Sequence, residues 1–362
     1  GSGNTVGIGI NKNIYSEVYN ISFLDPYATK DGVSLGYNLY FRETDYGEFN
    51  VANYLTNSNG LGVQFGYPIS DITRLNFNLT YDKTDIDIGT LPAREIYDFV
   101  AAEGNVFETL SLGFTWQRVT LNRGLFPTDG SSTSFTLTST IPGSDINYYR
   151  ANIRQRFYQP LSSQLVFGFQ GELGYLDAYG ETDETPFFQN FYAGGPRSLR
   201  GFESNTLGPR STNAPCYEFN YDDGTCPNLI DTDGDGELDT PYYNPYATNE
   251  YSSRSRYRDP PIGGNIKIEG SLQLIFRLPF IEDQRSLRSA FFFDFGNVFS
   301  DNCKEYQFNC YKPSIDDLRY SYGVGVTWIT GFGPMSLAIA KPTNAGPQER
   351  TEEFQFTVGN VF

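Results

Sequence analysis

The sequence predicts an all-β protein, an antiparallel transmembrane β-barrel of about fourteen strands, and three observations carry that expectation. Apolar residues recur at every second position in segment after segment. Short and long connections alternate between these segments, and charged residues sit mid-segment on the polar face. The clearest copy is RLNFNLTYD, where Leu75, Phe77, Leu79 and Tyr81 alternate with Arg74, Asn76, Asn78, Thr80 and Asp82. Such alternation gives one apolar and one polar face. It serves a sandwich with a dry interior, or a membrane barrel with lipid outside and a wet lumen.

The segments run near residues 4–12, 15–24, 32–43, 61–69, 74–86, 108–121, 132–141, 147–159, 164–177, 265–279, 287–299, 318–329, 334–342 and 352–362. Short connections (25–32, 70–73, 123–130, 159–163, 331–333) alternate with longer ones (44–60, 87–107, 178–264, 300–317). A membrane barrel has short turns on one side and long loops on the other, whereas a sandwich gives no reason for it. Arg150, Arg154 and Arg156 alternate with Tyr149, Ile153 and Phe157, and Lys267, Glu269 and Gln273 with Ile268, Leu272 and Leu274. Charges so placed suit a hydrated lumen and would be costly in a dry core. Tyr37, Phe41, Tyr67, Tyr148 and Trp328 lie near segment ends, as interfacial girdles require. One helix is expected, LPAREIYDFVAAEG (91–104), with Pro92 early, an Ile96, Phe99, Val100 stripe and Gly104 at its end.

Composition removes several function classes. Among 362 residues there are 27 Tyr, 30 Phe and 37 Gly, and only 19% are charged. No apolar run approaches the roughly 18 residues of a membrane helix. A net charge of −17 disfavours nucleic acid as a partner. Histidine is absent, which removes the usual general base and argues against an enzyme. The cysteines form two close pairs, Cys216/Cys226 and Cys303/Cys310, in polar sequence. Both suit disulfides in an oxidising compartment; the rival, zinc, lacks CxxC spacing and a third ligand type. No signal peptide is present, so a mature or trimmed chain is expected.

The longest connection opens with FYAGGPRSLRGFESNTLGPR (191–210), rich in glycine and arginine. Gly194, Gly195 and Gly201 allow tight turns and close packing, and the aromatics argue against disorder. The stretch reads as a loop, 178–264, folded back into the lumen of a single barrel domain, 1–362, with Arg200 as its anchoring charge.

GGPRSLRGFESNTLGP resembles the sixth extracellular loop of the BamA family, the outer-membrane assembly factors that insert other barrels, with Arg200, Gly201 and Phe202 as its Arg-Gly-Phe core. RGLFPTDG, STIPGSDINYY, DPYATKDGVSLG and the terminal EEFQFTVGNVF are also similar to that family, in the right order and over essentially the whole chain. The resemblance implies a sixteen-stranded barrel behind several periplasmic POTRA domains. This sequence holds no POTRA segment, and Gly1-Ser2-Gly3-Asn4 aligns with the turn after the second strand, so strands three to sixteen are expected.

In FFFDFGN the alternation turns Phe291, Phe293 and Phe295 to lipid and Asp294 to the lumen. An isolated carboxylate there wants a cation, and Arg200 is the natural one; the resemblance implies the same contact, and the alternative is a carboxylate facing lumen water. Where the family often has a second acid, this chain has Gln273, with Glu172 as a candidate substitute. The last segment alternates Phe354, Phe356, Val358 and Phe362 against Glu353, Gln355, Thr357 and Gly359, resembling the aromatic-ended sorting signal of outer-membrane barrels. Gly359 weakens pairing, which suits a seam that opens. In DTDGDGELD, Asp231, Asp233, Asp235, Gly236 and Asp239 occupy positions 1, 3, 5, 6 and 9 of a calcium loop. The twelfth position is Tyr242, so the alternatives are a weak structural calcium site and a solvated acidic turn.

The expected function is the outer-membrane barrel that folds and inserts other β-barrels through a weak lateral seam and bilayer destabilisation. Its implied partners are outer-membrane lipids, unfolded barrel clients and, through POTRA domains, periplasmic accessory lipoproteins. No cofactor is expected beyond the candidate calcium. The alternative is a passive pore or polypeptide secretion channel, which needs no docked loop.

Overall fold

A computed structural model describes residues 3–13, 15–47, 51–52, 54–88, 92–212, 260–278, 281, 286–305, 307, 310–331 and 333–359. Its strands are β1 (Thr5–Lys12), β2 (Ser16–Asp25), β3 (Ser34–Asp45), β4 (Leu55–Ser70), β5 (Thr73–Asp87), β6 (Val106–Val119), β7 (Gly130–Thr140), β8 (Tyr148–Pro160) and β9 (Leu165–Ala178). After these come β10 (Gly201–Phe202), β11 (Ile266–Phe276), β12 (Leu287–Phe299), β13 (Arg319–Thr330), β14 (Gly333–Pro342), β15 (Thr351–Glu352) and β16 (Phe354–Val358). Fourteen of them form one sheet in chain order, every pair antiparallel, while β10 and β15 pair separately. Neighbouring in space what is neighbouring in sequence is the meander expected of strands joined by direct turns.

The two faces follow the alternation. Ile21 and Phe23 of β2, Leu39 and Phe41 of β3, Phe77 and Leu79 of β5, Phe291 and Phe293 of β12, and Phe354 and Phe356 of β16 all point outward and are exposed. Apolar exposure on strand after strand far exceeds the patches a soluble surface carries, and a hydrocarbon environment accounts for it. The opposite face carries Asn, Thr, Ser, Arg and Glu, with Arg154 and Lys267 paired to Glu172 across neighbouring strands.

Helix α1 (Arg94–Glu103) forms within the expected stretch and ends at Gly104, whose φ is +94°. It buries Ile96 and Phe99 against Phe107, Phe187 and Phe188. The edge-on pairs of Phe99 with Phe187 and Phe188 add about 0.5–1.5 kcal/mol each beyond area burial. Glu95 fixes the helix to the loop, accepting from Thr212 N at 2.9 Å and Thr212 Oγ1 at 2.7 Å. Burial pushes the Glu95 carboxyl above the usual carboxylate range, and the Thr212 bonds pull against it.

Two local expectations are corrected. Strand β4 starts at Leu55 rather than near 61, because LTNSNG lacks apolar alternation yet pairs on both sides, Leu55 facing Asp45 and Asp87. Tyr148 is no girdle residue. It turns inward and is buried in the same cluster as Phe191 and Leu199, while Tyr37, Phe41, Tyr67 and Trp328 are exposed. At the other end of the barrel, the β6–β7 turn folds under the lumen. Arg288 of β12 donates to Pro127 O at 2.6 Å and lies 4.8 Å from the Tyr158 ring centroid and 5.6 Å from that of Phe126.

Candidate functional site

The site is assembled where the long loop meets the last strands of the sheet. Register places Ser271 of β11 directly opposite Asp294 of β12, so period two brings both oxygens to the lumen face side by side. Phe292 lies two residues before Asp294 and therefore on the same face. The loop presents Arg200 to this triplet. Its Nε donates to Asp294 Oδ2 at 2.7 Å, its Nη2 to Asp294 Oδ1 at 2.7 Å and to Ser271 Oγ at 3.0 Å. Its backbone N–H also reaches Asp294 Oδ2, at 3.2 Å. The guanidinium carbon stands 3.5 Å from the Phe292 ring centroid. The fork thus satisfies a carboxylate whose side chain is 0% exposed, while the arginine side chain keeps 16% exposure.

Gln273 turns to Ser271: its Nε2 donates to Ser271 Oγ at 3.2 Å, buttressing the oxygen that Arg200 uses. Glu172 instead accepts from Asn152 and Arg154 and pairs with Lys267. Lys267 also pairs with Glu269 at 3.0 Å, and Glu269 accepts from Ser198 Oγ of the loop. A polar relay therefore runs along the lumen wall from β8 through β9 and β11 into the loop tip.

Behind Arg200 the loop turns into β10. Gly201 has φ +89°, and a Cβ there would lie 3.1 Å from Ala340 Cβ and 3.3 Å from Pro342 Cδ. Only glycine takes both the backbone conformation and that approach at low cost. Phe202 is fully buried beside Leu199 and Leu207. Strand β10 pairs with β15, Gly201 facing Glu352 and Phe202 facing Thr351. Arg210 is held by Gln348 O at 3.1 Å and by Thr206 O.

Strand β16 pairs with β14 over a ladder from Met335–Val358 to Ile339–Phe354, five residues long, whereas β13 and β14 share ten. Gly359, the residue after it, has φ +104°, and its N–H reaches Pro334 O at 2.9 Å. Phe354 and Phe356 face outward and Gln355 inward. Gln355 Nε2 donates to Phe202 O at 2.7 Å and its Oε1 accepts from Gly201 N at 3.3 Å. Ser271, Phe292 and Gln355 are the residues that sequence reasoning missed. The signal available was their lumen-face parity with Asp294 or the Arg-Gly-Phe core.

Cys303 and Cys310 form a disulfide in the β12–β13 loop. Cys216, Cys226, the calcium candidates Asp231, Asp233, Asp235 and Asp239, and Phe362 lie outside the described residues.

Over residues 1–362 the chain matches the Omp85 superfamily domain. It belongs to that family. Outer membrane protein assembly factor BamA of Neisseria meningitidis is 31% identical over 95% of the chain, which spans 41% of that protein's length. The crystal structure of BamA from Haemophilus ducreyi, solved without its POTRA domains 1-3, superposes with a TM-score of 0.79 at 27% identity. The match covers 99% of this chain and 64% of that one. CdiB from Acinetobacter baumannii shares the fold at a TM-score of 0.51 and 11% identity, over 97% of this chain and 52% of that one. The Omp85 chain is thus an antiparallel transmembrane β-barrel of the bacterial outer membrane, with the Arg200 loop docked against its inner wall.

Proposed function

We propose that this barrel folds and inserts β-barrel proteins into the outer membrane, its last strand serving as the edge onto which client strands are templated. The observation that carries this reading is the contrast at β16: a five-residue ladder on the β14 side, against a loop latch built from a buried ion pair. A short ladder followed by a left-handed glycine opens at lower cost than its neighbours, and an opened edge accepts another strand by main-chain pairing. The loop fixes the inner face while the outer face meets lipid. No bond is made or broken; the work is the lowering of an insertion barrier. Unfolded barrel clients and, through POTRA domains, periplasmic lipoproteins are the partners this reading calls for.

The secretion-channel alternative draws on the fold shared with CdiB. Against it stands the described part of the loop, which packs Phe187, Phe191, Leu199, Phe202 and Leu207 against residues of the strands. The test is the folding rate of an unfolded small barrel client on liposomes carrying the full-length protein, read by gel mobility. Faster folding than on liposomes carrying an unrelated barrel supports insertion. Unchanged folding with raised solute flux supports the channel.

A further inference from the structure

Gln355 is the residue through which the loop and the last strand are joined. It is 2% exposed and has both of its amide functions engaged. Nε2 donates to Phe202 O at 2.7 Å and to Glu352 Oε2 at 3.3 Å, and Oε1 accepts from Gly201 N at 3.3 Å. A side-chain amide here does what a neighbouring strand would do, offering one donor and one acceptor to a buried peptide edge. The residue immediately before that edge is Arg200, whose backbone N–H and guanidinium hold Asp294. The chain Asp294, Arg200, Gly201–Phe202, Gln355 therefore runs from β12 to β16 across the lumen face, bypassing β13 and β14.

The flanking contacts reinforce this path. Gly201 and Phe202 pair with Glu352 and Thr351, and Glu203 N donates to Arg350 O at 3.0 Å. Arg350 N in turn donates to Thr206 Oγ1 at 3.0 Å, so the segment leading into β16 is laced to the loop along its length. Among the described residues the ladder from β16 to β14 is five residues long, so the loop contacts add substantially to the positioning of β16.

We propose that Gln355 is a positioning residue that couples the loop latch to the last strand, so that the Arg200–Asp294 contact and the seating of β16 form or loosen together. This deepens the insertion reading and rests on it: the strand proposed to template clients would be held ready from within the lumen. Any such coupling is reciprocal, since each contact favours the other by the same free energy.

The test is amide hydrogen exchange of the full-length protein in lipid nanodiscs. Asp294→Asn, far from β16, is expected to raise exchange in peptides spanning 351–358 by roughly tenfold. Gln355→Met is expected to raise it at 199–203 by a similar factor, with peptides of β4 and β5 unchanged in both. Ser271→Ala, which removes one partner of Arg200, gives a smaller rise at β16 and serves if Asp294→Asn does not fold. Unchanged exchange at either remote end overturns the proposal, and so does an equal rise in β4 and β5, which is general loosening. Client insertion is measured on the same variants. Coupled exchange with unaltered insertion upholds the coupling and counts against the insertion reading alone.

Discussion

The two charges of the latch are expected to be coupled, so that removing both costs less than the sum of removing each alone. In Arg200→Met the Asp294 carboxylate, 0% exposed at its side chain, loses two guanidinium bonds of 2.7 Å and keeps the backbone N–H of residue 200 as a donor. Breaking a buried pair from one side costs about 3–5 kcal/mol because the remaining charge stays desolvated. That corresponds to a local opening equilibrium roughly 10²–10⁴ times larger. Asp294→Asn leaves the cation with Ser271, the Phe292 ring and an amide oxygen, and is expected to cost about 1–3 kcal/mol. In the double variant no charge remains to be buried, so its cost should fall short of the sum by about 2 kcal/mol or more. The assay is exchange protection of Gly201 and Phe202 in the four proteins of the cycle. Costs that add within about 0.5 kcal/mol would refute the reasoning, because they would mean that the two groups act independently.

Two further outcomes follow from the same geometry. Gly201→Ala places a methyl 3.1 Å from Ala340 Cβ at φ +89° and is expected to loosen the loop by about 1–3 kcal/mol, read as faster proteolysis between 191 and 210. The Glu95 carboxyl is raised in the folded protein, so the native state holds its proton more tightly than the unfolded chain does. Its stabilising contribution is complete below the unfolded carboxylate value near ~4.3 and is lost as pH rises through the folded value. Exchange protection of 94–103, corrected for intrinsic rate, should therefore fall over that window and lose the dependence in Glu95→Gln.

Much of the fold was legible because a period of two is a local property. Each strand announces its two faces without reference to its neighbours, as RLNFNLTYD does, and α1 announced its stripe of Ile96, Phe99 and Val100 in the same way. Asp294 and Arg200 could be paired on paper because a carboxylate in an otherwise aromatic run needs a cation, and the resemblance of the Arg-Gly-Phe loop implies the same contact. What stayed hidden depends on stagger between strands. The sequence places Gln273 and Ser271 on the same lumen face, and only the register that sets Ser271 opposite Asp294 decides which one Arg200 reaches. Gln355 read as one polar position among several on the last strand, since its partner is main chain from a loop about 150 residues away. The start of β4 was hidden for a different reason: LTNSNG is held by its neighbours' ladders and not by an apolar face of its own.

The most direct measurement places a photo-crosslinking residue at Phe356 in β16 and, separately, at Phe77 in β5, both apolar and outward-facing. An unfolded barrel client is then presented to the full-length protein in liposomes. The account predicts adducts at 356, mapping to client strand sequence, and a small fraction of that yield at 77. Equal yields at the two positions, or none at 356 while the client folds, would contradict it.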